Sequence, residues 1–180
     1  GAAQLLGKDE PKADKCWRQA SCTMRIWHIS SYDSLGGAAR SAYRVHQGLV
    51  RLGQDSHMLV RQKGTHDSRV HEFQGSRNLL DRIYRRIRRE SREFQHRRYV
   101  DNRRDPFQPF SDDRSDFQIR VDSLSPRADI VNLFWVSSFL DHQDFFGNIT
   151  QEIPIFWRLS DMNAFTGGCH YAWECDRWTD

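Results

Sequence analysis

One short segment of the chain concentrates groups that can bind hydroxyls and handle protons. It runs from Trp157 to Tyr171 and follows an apolar stretch typical of a buried strand. Asp161 can accept hydrogen bonds from hydroxyl groups or act as a base, while Thr166, Gly167 and Gly168 offer a hydroxyl and backbone donors. In the alternative, Asp161 only bonds to the backbone of an ordinary turn. The variety of groups beside a strand end favours a binding site.

A second candidate is the glycine pair Gly36-Gly37, which separates an apolar stretch from a helical pattern. Glycines let a ligand approach the backbone closely, and the N–H groups at a helix N-terminus favour an anion. The alternative is a tight turn that requires only a positive φ. The third glycine of a dinucleotide fingerprint and the Gly-Lys-Ser/Thr of a P-loop are both absent from the sequence, which disfavours a conventional NAD or ATP site.

A metal site is the weaker interpretation of the cysteines. Cys169 and Cys175 flank His170, but their spacing is looser than that of a zinc knuckle and they supply only two thiols. We therefore predict ordinary thiols and no metal. Four cysteines in a chain of this length, with Cys16 and Cys22 as the other two, are not a disulfide scaffold, so a reducing cytoplasmic setting is expected.

Positive charge is concentrated in one segment. Residues 77 to 104 contain eleven arginines against four acidic residues, a local charge of +7, whereas the whole chain carries +3. An apolar stripe within this segment predicts a helix over Arg77–Tyr99. Three interpretations stay open: a solvated helix face, an interfacial helix on anionic lipid, or a nucleic-acid contact, which is ranked last because no binding motif accompanies the charge.

The remaining pattern indicates an α/β protein with a Rossmann-like parallel sheet and flanking helices. A strand, the glycine turn, a helix ending before Gly53 and a second strand form a βαβ unit. A short helix is predicted over 139–149. About four strands are expected, over Met24–Ile29, His57–Val60, Asp129–Trp135 and Ile153–Leu159.

The chain has 180 residues, enough for one ordinary domain. Residues 1–23 have neither a helical nor a strand period, so we predict a disordered leader or upstream translated sequence, followed by one partial domain over 24–180. Apolar runs are too short to span a bilayer, and the first residues lack the apolar centre of a secretory signal.

Three segments together resemble the N-terminal half of family-four GT-B glycosyltransferases. Residues 24–30 with 36–44 are similar to the opening of such enzymes, and 128–135 is similar to a later strand. The most specific match is 159–171, which looks like the signature of a subgroup that builds cell-surface polysaccharides. The pair Phe110-Ser111 also fits. The resemblance runs from Met24 to the end of the chain.

The resemblance implies a retaining transfer of a hexosyl group from a nucleotide-sugar, a co-substrate, to a hydroxyl of a glycan or lipid-linked acceptor. It implies neither a cofactor nor a metal. Gly36 and Gly37 would face the donor diphosphate. The acceptor-binding residues would be Arg40, Ser160, Thr166 and Gly167, and Asp161 would be catalytic.

The sequence also departs from the family. Many relatives have histidine where Ser160 and Phe134 stand, and His170 is the candidate catalytic replacement. The donor-binding domain has no counterpart, so we expect a fragment that is inactive alone. The alternative is a non-catalytic Rossmann-like module that binds a glycan, a lipid-linked acceptor or a protein. We expect a cytoplasmic protein, with a peripheral contact to the inner face of the membrane through Arg77–Tyr99.

Overall fold

The computed structural model describes residues 23–75, 78–101, 110–149 and 153–172. Within these ranges the chain forms a five-stranded, wholly parallel sheet in the order β3-β2-β1-β4-β5. The predicted Rossmann-like α/β fold is thereby confirmed. The strands are β1 (Arg25–Tyr32), β2 (Asp55–Gln62), β3 (Val70–Glu72), β4 (Ile130–Leu133) and β5 (Ile155–Trp157).

Three helices connect or flank the strands. They are α1 (Gly36–Arg51), α2 (Leu79–Asp101) and the short α3 (His142–Gly147), and a 3-10 turn covers Val121–Ser123. Gly53, at φ 77°, donates its N–H to the carbonyl of Val50, so the predicted glycine end of α1 is confirmed. The side chain of Asp141 begins α3 by accepting a hydrogen bond from the Asp144 N–H at 2.9 Å.

β1 lies at the centre of the sheet and is buried along almost its whole length. Because side chains alternate across a strand, Trp27 and Ile29 join the larger apolar core with residues of β4 and of the 110–145 region. His28 faces the opposite side, toward α1. There Ala42 packs with Met58, Val60, Val70 and Phe134 in a smaller core.

Several boundaries differ from the sequence-based prediction. The sheet has five strands among the described residues where about four were expected, because the three-residue β3 is too short to show a period. β2 is longer than predicted, since it includes the polar residues at both of its ends. β4, β5 and α3 are shorter than predicted. The basic helix runs two residues further than expected, and Arg77 lies outside the described residues, as do 1–22.

Candidate functional site

The strand order places a switch point between β1 and β4. The chain leaves these two adjacent strands toward opposite sides of the sheet, and in open α/β sheets ligands bind in the crevice that this creates at the carboxyl edge. Two hydrogen bonds join the end of β1 to the loop after β4. The Ser31 N–H donates to the Trp135 carbonyl at 2.7 Å, and the Ser31 hydroxyl donates to the Ser137 carbonyl at 2.8 Å.

The glycine turn lies at this edge and begins α1. Gly36 has φ 85°, which favours glycine, and a side chain at either Gly36 or Gly37 would meet no heavy atom within 4 Å. Leu35 precedes the helix without a capping side-chain hydrogen bond, and the first turn contains no acidic residue. The helix N-terminus therefore has N–H donors beside open space, an arrangement that suits an anion.

Asp33 fixes the segment that leads into the glycine turn. It is 1% exposed, and its carboxylate accepts hydrogen bonds from the Gly64 N–H at 2.8 Å, the Thr65 N–H at 2.9 Å and the Thr65 hydroxyl at 2.6 Å. Burial acts to raise the pKa of Asp33, but the hydrogen bonds from Thr65 and Gly64 lower it overall. Asp33 was not predicted from the sequence. It ties the loop after β1 to the loop after β2.

The predicted catalytic pair is brought together after β5. Asp161 Oδ2 lies 3.0 Å from His170 Nδ1, and both side chains are largely buried. His170 Nε2 lies 2.7 Å from the hydroxyl of Ser111, and the His170 ring packs against Trp135 with centroids 5.0 Å apart. Asp161, His170 and Ser111 thus form one hydrogen-bonded chain that fixes the orientation of the imidazole.

Serine hydrolases use the same order of groups, with the carboxylate on one imidazole nitrogen and the serine on the other. Such a serine also needs backbone N–H donors aimed at the developing oxyanion. The Ser111 N–H instead donates to the Gly168 carbonyl at 2.9 Å. We therefore infer that the hydrogen bonds with Asp161 and Ser111 hold the His170 ring in place, and that Ser111 does not act as a nucleophile.

Gly168 allows this arrangement by letting two segments touch. Phe110 and Cys169 form an isolated antiparallel bridge. A Cβ on Gly168 would lie 2.5 Å from Phe110 Cε2 and 2.7 Å from the Ser111 carbonyl oxygen, and φ is 120°. Glycine is required here by both space and backbone conformation. Its role was not recognised in the sequence, where Gly168 was considered only as a backbone donor.

The other predicted acceptor residues differ in their surroundings. The Thr166 hydroxyl donates to the Met162 carbonyl at 3.0 Å and also contacts the Cys169 carbonyl, so it stabilises the loop itself. Gly167 has φ 70° with open space around it. Ser160 is exposed and lines a cleft that includes Asp161, Trp135 and Trp157. Arg40 is exposed, and its Nε lies 3.4 Å from the Ser34 carbonyl.

Arg158 links α1 to the segment that follows β5, and no role was predicted for it. Its guanidinium donates to the hydroxyl of Ser41 in α1 and lies 5.9 Å from the centroid of the Phe134 ring. Its N–H donates to the Leu133 carbonyl at 2.9 Å. A permanent positive charge therefore lies between the helix of the glycine turn and the start of the loop that contains Asp161. Its position near the end of a predicted strand was the available signal.

No group of three or more potential metal ligands occurs among the described residues. Cys169 is the one cysteine that they include, and it is not in a disulfide; Cys16, Cys22 and Cys175 lie outside them. None of the described helices is both long and apolar enough to cross a membrane. Comparisons with protein-family models, with curated proteins and with solved structures found no match to this chain.

Proposed function

We propose that this chain is the acceptor-side part of a glycosyltransferase that moves a sugar from a nucleotide-sugar to a hydroxyl. The observation that carries the proposal is the shared edge. The open glycine turn of α1 and the loop with Asp161 and His170 both follow strands at the carboxyl edge of one parallel sheet. Glycosyl transfer needs a diphosphate and a hydroxyl held side by side, and this edge offers groups suited to each.

In this proposal the donor diphosphate lies against Gly36 and Gly37. The uncapped N–H groups of α1 would bind its oxygens, and the guanidiniums of Arg40 and Arg158 would add positive charge from either side. Transition-state charge on the departing diphosphate is thereby stabilised. A second, donor-binding domain would hold the nucleotide.

The acceptor in this proposal lies against the loop from Ser160 to His170. Asp161 keeps the proton of His170 on Nδ1, which leaves Nε2 as a hydrogen-bond acceptor. Nε2 lies 2.7 Å from the Ser111 hydroxyl, and it would accept from an acceptor hydroxyl once Ser111 rotates away. Ser160 and the backbone of Gly167 would orient the sugar ring.

The test compares two glycines of the same helix. Gly37 and Gly48 both have open space at the Cβ position, and neither has a positive φ, so Gly37→Val and Gly48→Val are both expected to fold. In NMR titrations of the chain with a nucleoside diphosphate, we expect weak binding that shifts the Gly36 and Gly37 amides. Gly37→Val should abolish these shifts, whereas Gly48→Val should preserve them.

In a protein that joins this chain to a donor-binding domain, Gly37→Val should lower turnover by about 100-fold, because its side chain would keep the diphosphate away from the backbone N–H donors that stabilise the transition state. The chain alone should show no detectable transfer. Normal turnover of the Gly37→Val enzyme, or transfer by the chain alone at an ordinary enzymatic rate, would contradict the proposal.

A non-catalytic glycan-binding module is the second candidate. One observation favours it: Asp161, His170 and Ser111, which are joined by hydrogen bonds, all belong to this chain. In that case an oligosaccharide would bind tightly to the chain alone, and Gly37→Val would leave this affinity unchanged. Oligosaccharide binding that occurs only when the diphosphate is also bound would instead support the transferase.

A further inference from the structure

The long helix α2 presents its apolar side chains to the exterior. An ordinary surface helix turns its apolar stripe toward the core. In α2 the exposed fraction is 71% for Leu80, 49% for Ile83 and 62% for Ile87. The other large apolar residues of this stripe are exposed to a similar degree: Leu79, Tyr84 and Phe94.

The flank of α2 next to Tyr84 is attached to the domain by arginines. Arg88 donates to the Asp141 carboxylate at 2.6 Å, and Asp141 is only 3% exposed. Arg92 lies 3.3 Å from the Asp116 carboxylate and donates to the Arg114 carbonyl at 3.2 Å. Residues 88 and 92 are one helical turn apart and share a face, so the helix is held by charge and its apolar stripe is left outward.

Positive charge lies along the other flank of α2, on the side of the stripe where Leu79 lies. Arg86 pairs with Glu90 at 3.1 Å and Arg89 pairs with Glu93 at 3.2 Å, and more than half of each side chain is exposed. Exposed ion pairs of this kind contribute little to stability, so these guanidiniums can exchange a carboxylate partner for a phosphate. Arg82, also exposed, lies one turn before Arg86.

We propose that α2 lies flat on an anionic lipid bilayer, with its apolar stripe in the boundary between headgroups and acyl chains. Its 23 residues extend over about 34 Å, long enough to rest on many headgroups. The stripe supplies the area that leaves water, and the bordering arginines bind lipid phosphates. Gly37 and Asp161 play no part in this contact, so the inference stands apart from the proposed transfer reaction.

A nucleic acid fits this surface less well. Phosphate-binding helices present their arginines outward along the contact, whereas α2 exposes an apolar stripe that includes Leu80 and Ile87 and turns Arg88 and Arg92 inward. A second copy of the chain could cover an apolar stripe, but the bordering arginines would then face those of its partner. Anionic lipid satisfies both the apolar and the charged parts of the surface.

Co-sedimentation with vesicles tests the inference. Vesicles of phosphatidylcholine with about one third phosphatidylserine should bind the protein, and binding should fall steeply with salt. Vesicles of phosphatidylcholine alone should bind it far less. Binding to neither kind of vesicle, or equally to both, would overturn the proposal.

Two exposed leucines provide a matched pair. Leu80→Ser and Leu52→Ser remove side chains that are 71% and 76% exposed, so neither should affect folding. Leu80→Ser combined with Ile87→Ser should weaken partition to anionic vesicles at least ~10-fold, as expected for two apolar side chains returned to water, and Leu52→Ser should leave it unchanged. If the double variant on α2 and Leu52→Ser weakened partition equally, a specific role for α2 would be contradicted.

Charge variants separate lipid from the other occupants. Arg82→Gln with Arg86→Gln should reduce binding to anionic vesicles and remove most of its salt dependence. If the protein binds DNA in a salt-sensitive way, and if these charge variants abolish that binding while Leu80→Ser does not, the surface is assigned to nucleic acid. A dimer in lipid-free solution that Leu80→Ser dissociates would assign it to a second copy. Either result would overturn the membrane assignment.

Discussion

The two long helices, α1 and α2, are both amphipathic in sequence but have opposite orientations toward the domain. α1 turns the buried residues Ala39, Ala42 and His46 onto the sheet. α2 turns Arg88 and Arg92 inward and exposes its leucines and isoleucines. Alanine lets a helix backbone pack closely against a sheet, whereas arginine reaches a buried carboxylate over a longer distance. The periodicity of a stripe therefore shows that the stripe exists, and does not show what covers it.

The largest expected effect contrasts a charge placed on each helix. Ala42 is fully buried between α1 and the sheet, so Ala42→Glu should lower the free energy of unfolding by at least ~3 kcal/mol, because it buries an unpaired carboxylate in a closed space. Leu80→Glu on α2 should change it by less than about 0.5 kcal/mol, since that side chain is already in water. Urea denaturation of both variants measures the difference.

A large loss of stability from Leu80→Glu would mean that the α2 stripe is covered within the protein. The comparison between the helices would then fail, and the inferred lipid contact with it. A conservative companion, Ala42→Gly, should cost only about 1 kcal/mol, which separates helix propensity from burial.

An intermediate effect concerns the histidines between α1 and the sheet. His28 is fully buried, bonds to the Ser56 hydroxyl at 3.0 Å and approaches His46 of α1. Burial, followed by repulsion from His46, lowers the pKa of His28 from 6.5 to about 3. The unfolded chain therefore binds an extra proton between these values, so stability is full above about pH 6.5 and falls as the pH drops toward 3.

Between about pH 7 and about pH 5, His28 alone should account for a loss of ~2 kcal/mol. His28→Gln should make the free energy of unfolding depend less steeply on pH, even if it lowers stability at neutral pH. The control His66→Gln, at an exposed position, should leave the slope unchanged. Part of the slope should persist in His28→Gln, because burial also lowers the pKa values of His46, His71 and His142. Thermal melts across this pH range provide the measurement. An unchanged slope in His28→Gln would contradict a neutral, buried His28.

The smallest effect is expected on the exposed side of α2. Glu90→Gln breaks the ion pair with Arg86, whose partners are 82% and 67% exposed at the side chain. The free energy of unfolding should change by no more than about 0.5 kcal/mol. The same variant raises the local positive charge, so it should strengthen binding to anionic vesicles. A stability loss above 1 kcal/mol, by contrast, would show that this face contributes to the fold.

Much of the fold could be predicted from local patterns. β1, the glycine turn, α1 and Gly53 follow each other in the order that a βαβ unit requires, and each signal is contained in a few adjacent residues. β3 could not be predicted, because it has three residues and takes its strand conformation from pairing with β2. The orientation of α2 was also inaccessible, since it depends on Asp141 and Asp116, which are distant in the sequence.

The candidate site was predicted only in part. Asp161 and His170 were named as candidates from one segment, and the structure places their side chains 3.0 Å apart. Ser111, which completes the chain of hydrogen bonds, is 59 residues from His170, and no periodicity links the two. Their catalytic role remains a prediction.

The central position of β1 has a consequence for synthesis on the ribosome. Arg25 bonds to Asp55, 30 residues away, on one side and to Asp129, 104 residues away, on the other. The β1–α1–β2 unit can therefore assemble early, while the other edge of β1 has to wait until β4 has emerged. During that interval a parallel strand edge that includes Ile26, Trp27 and Ile29 is open to pairing with another nascent chain. Translation speed over residues 63–133 should thus influence how much protein reaches the folded state.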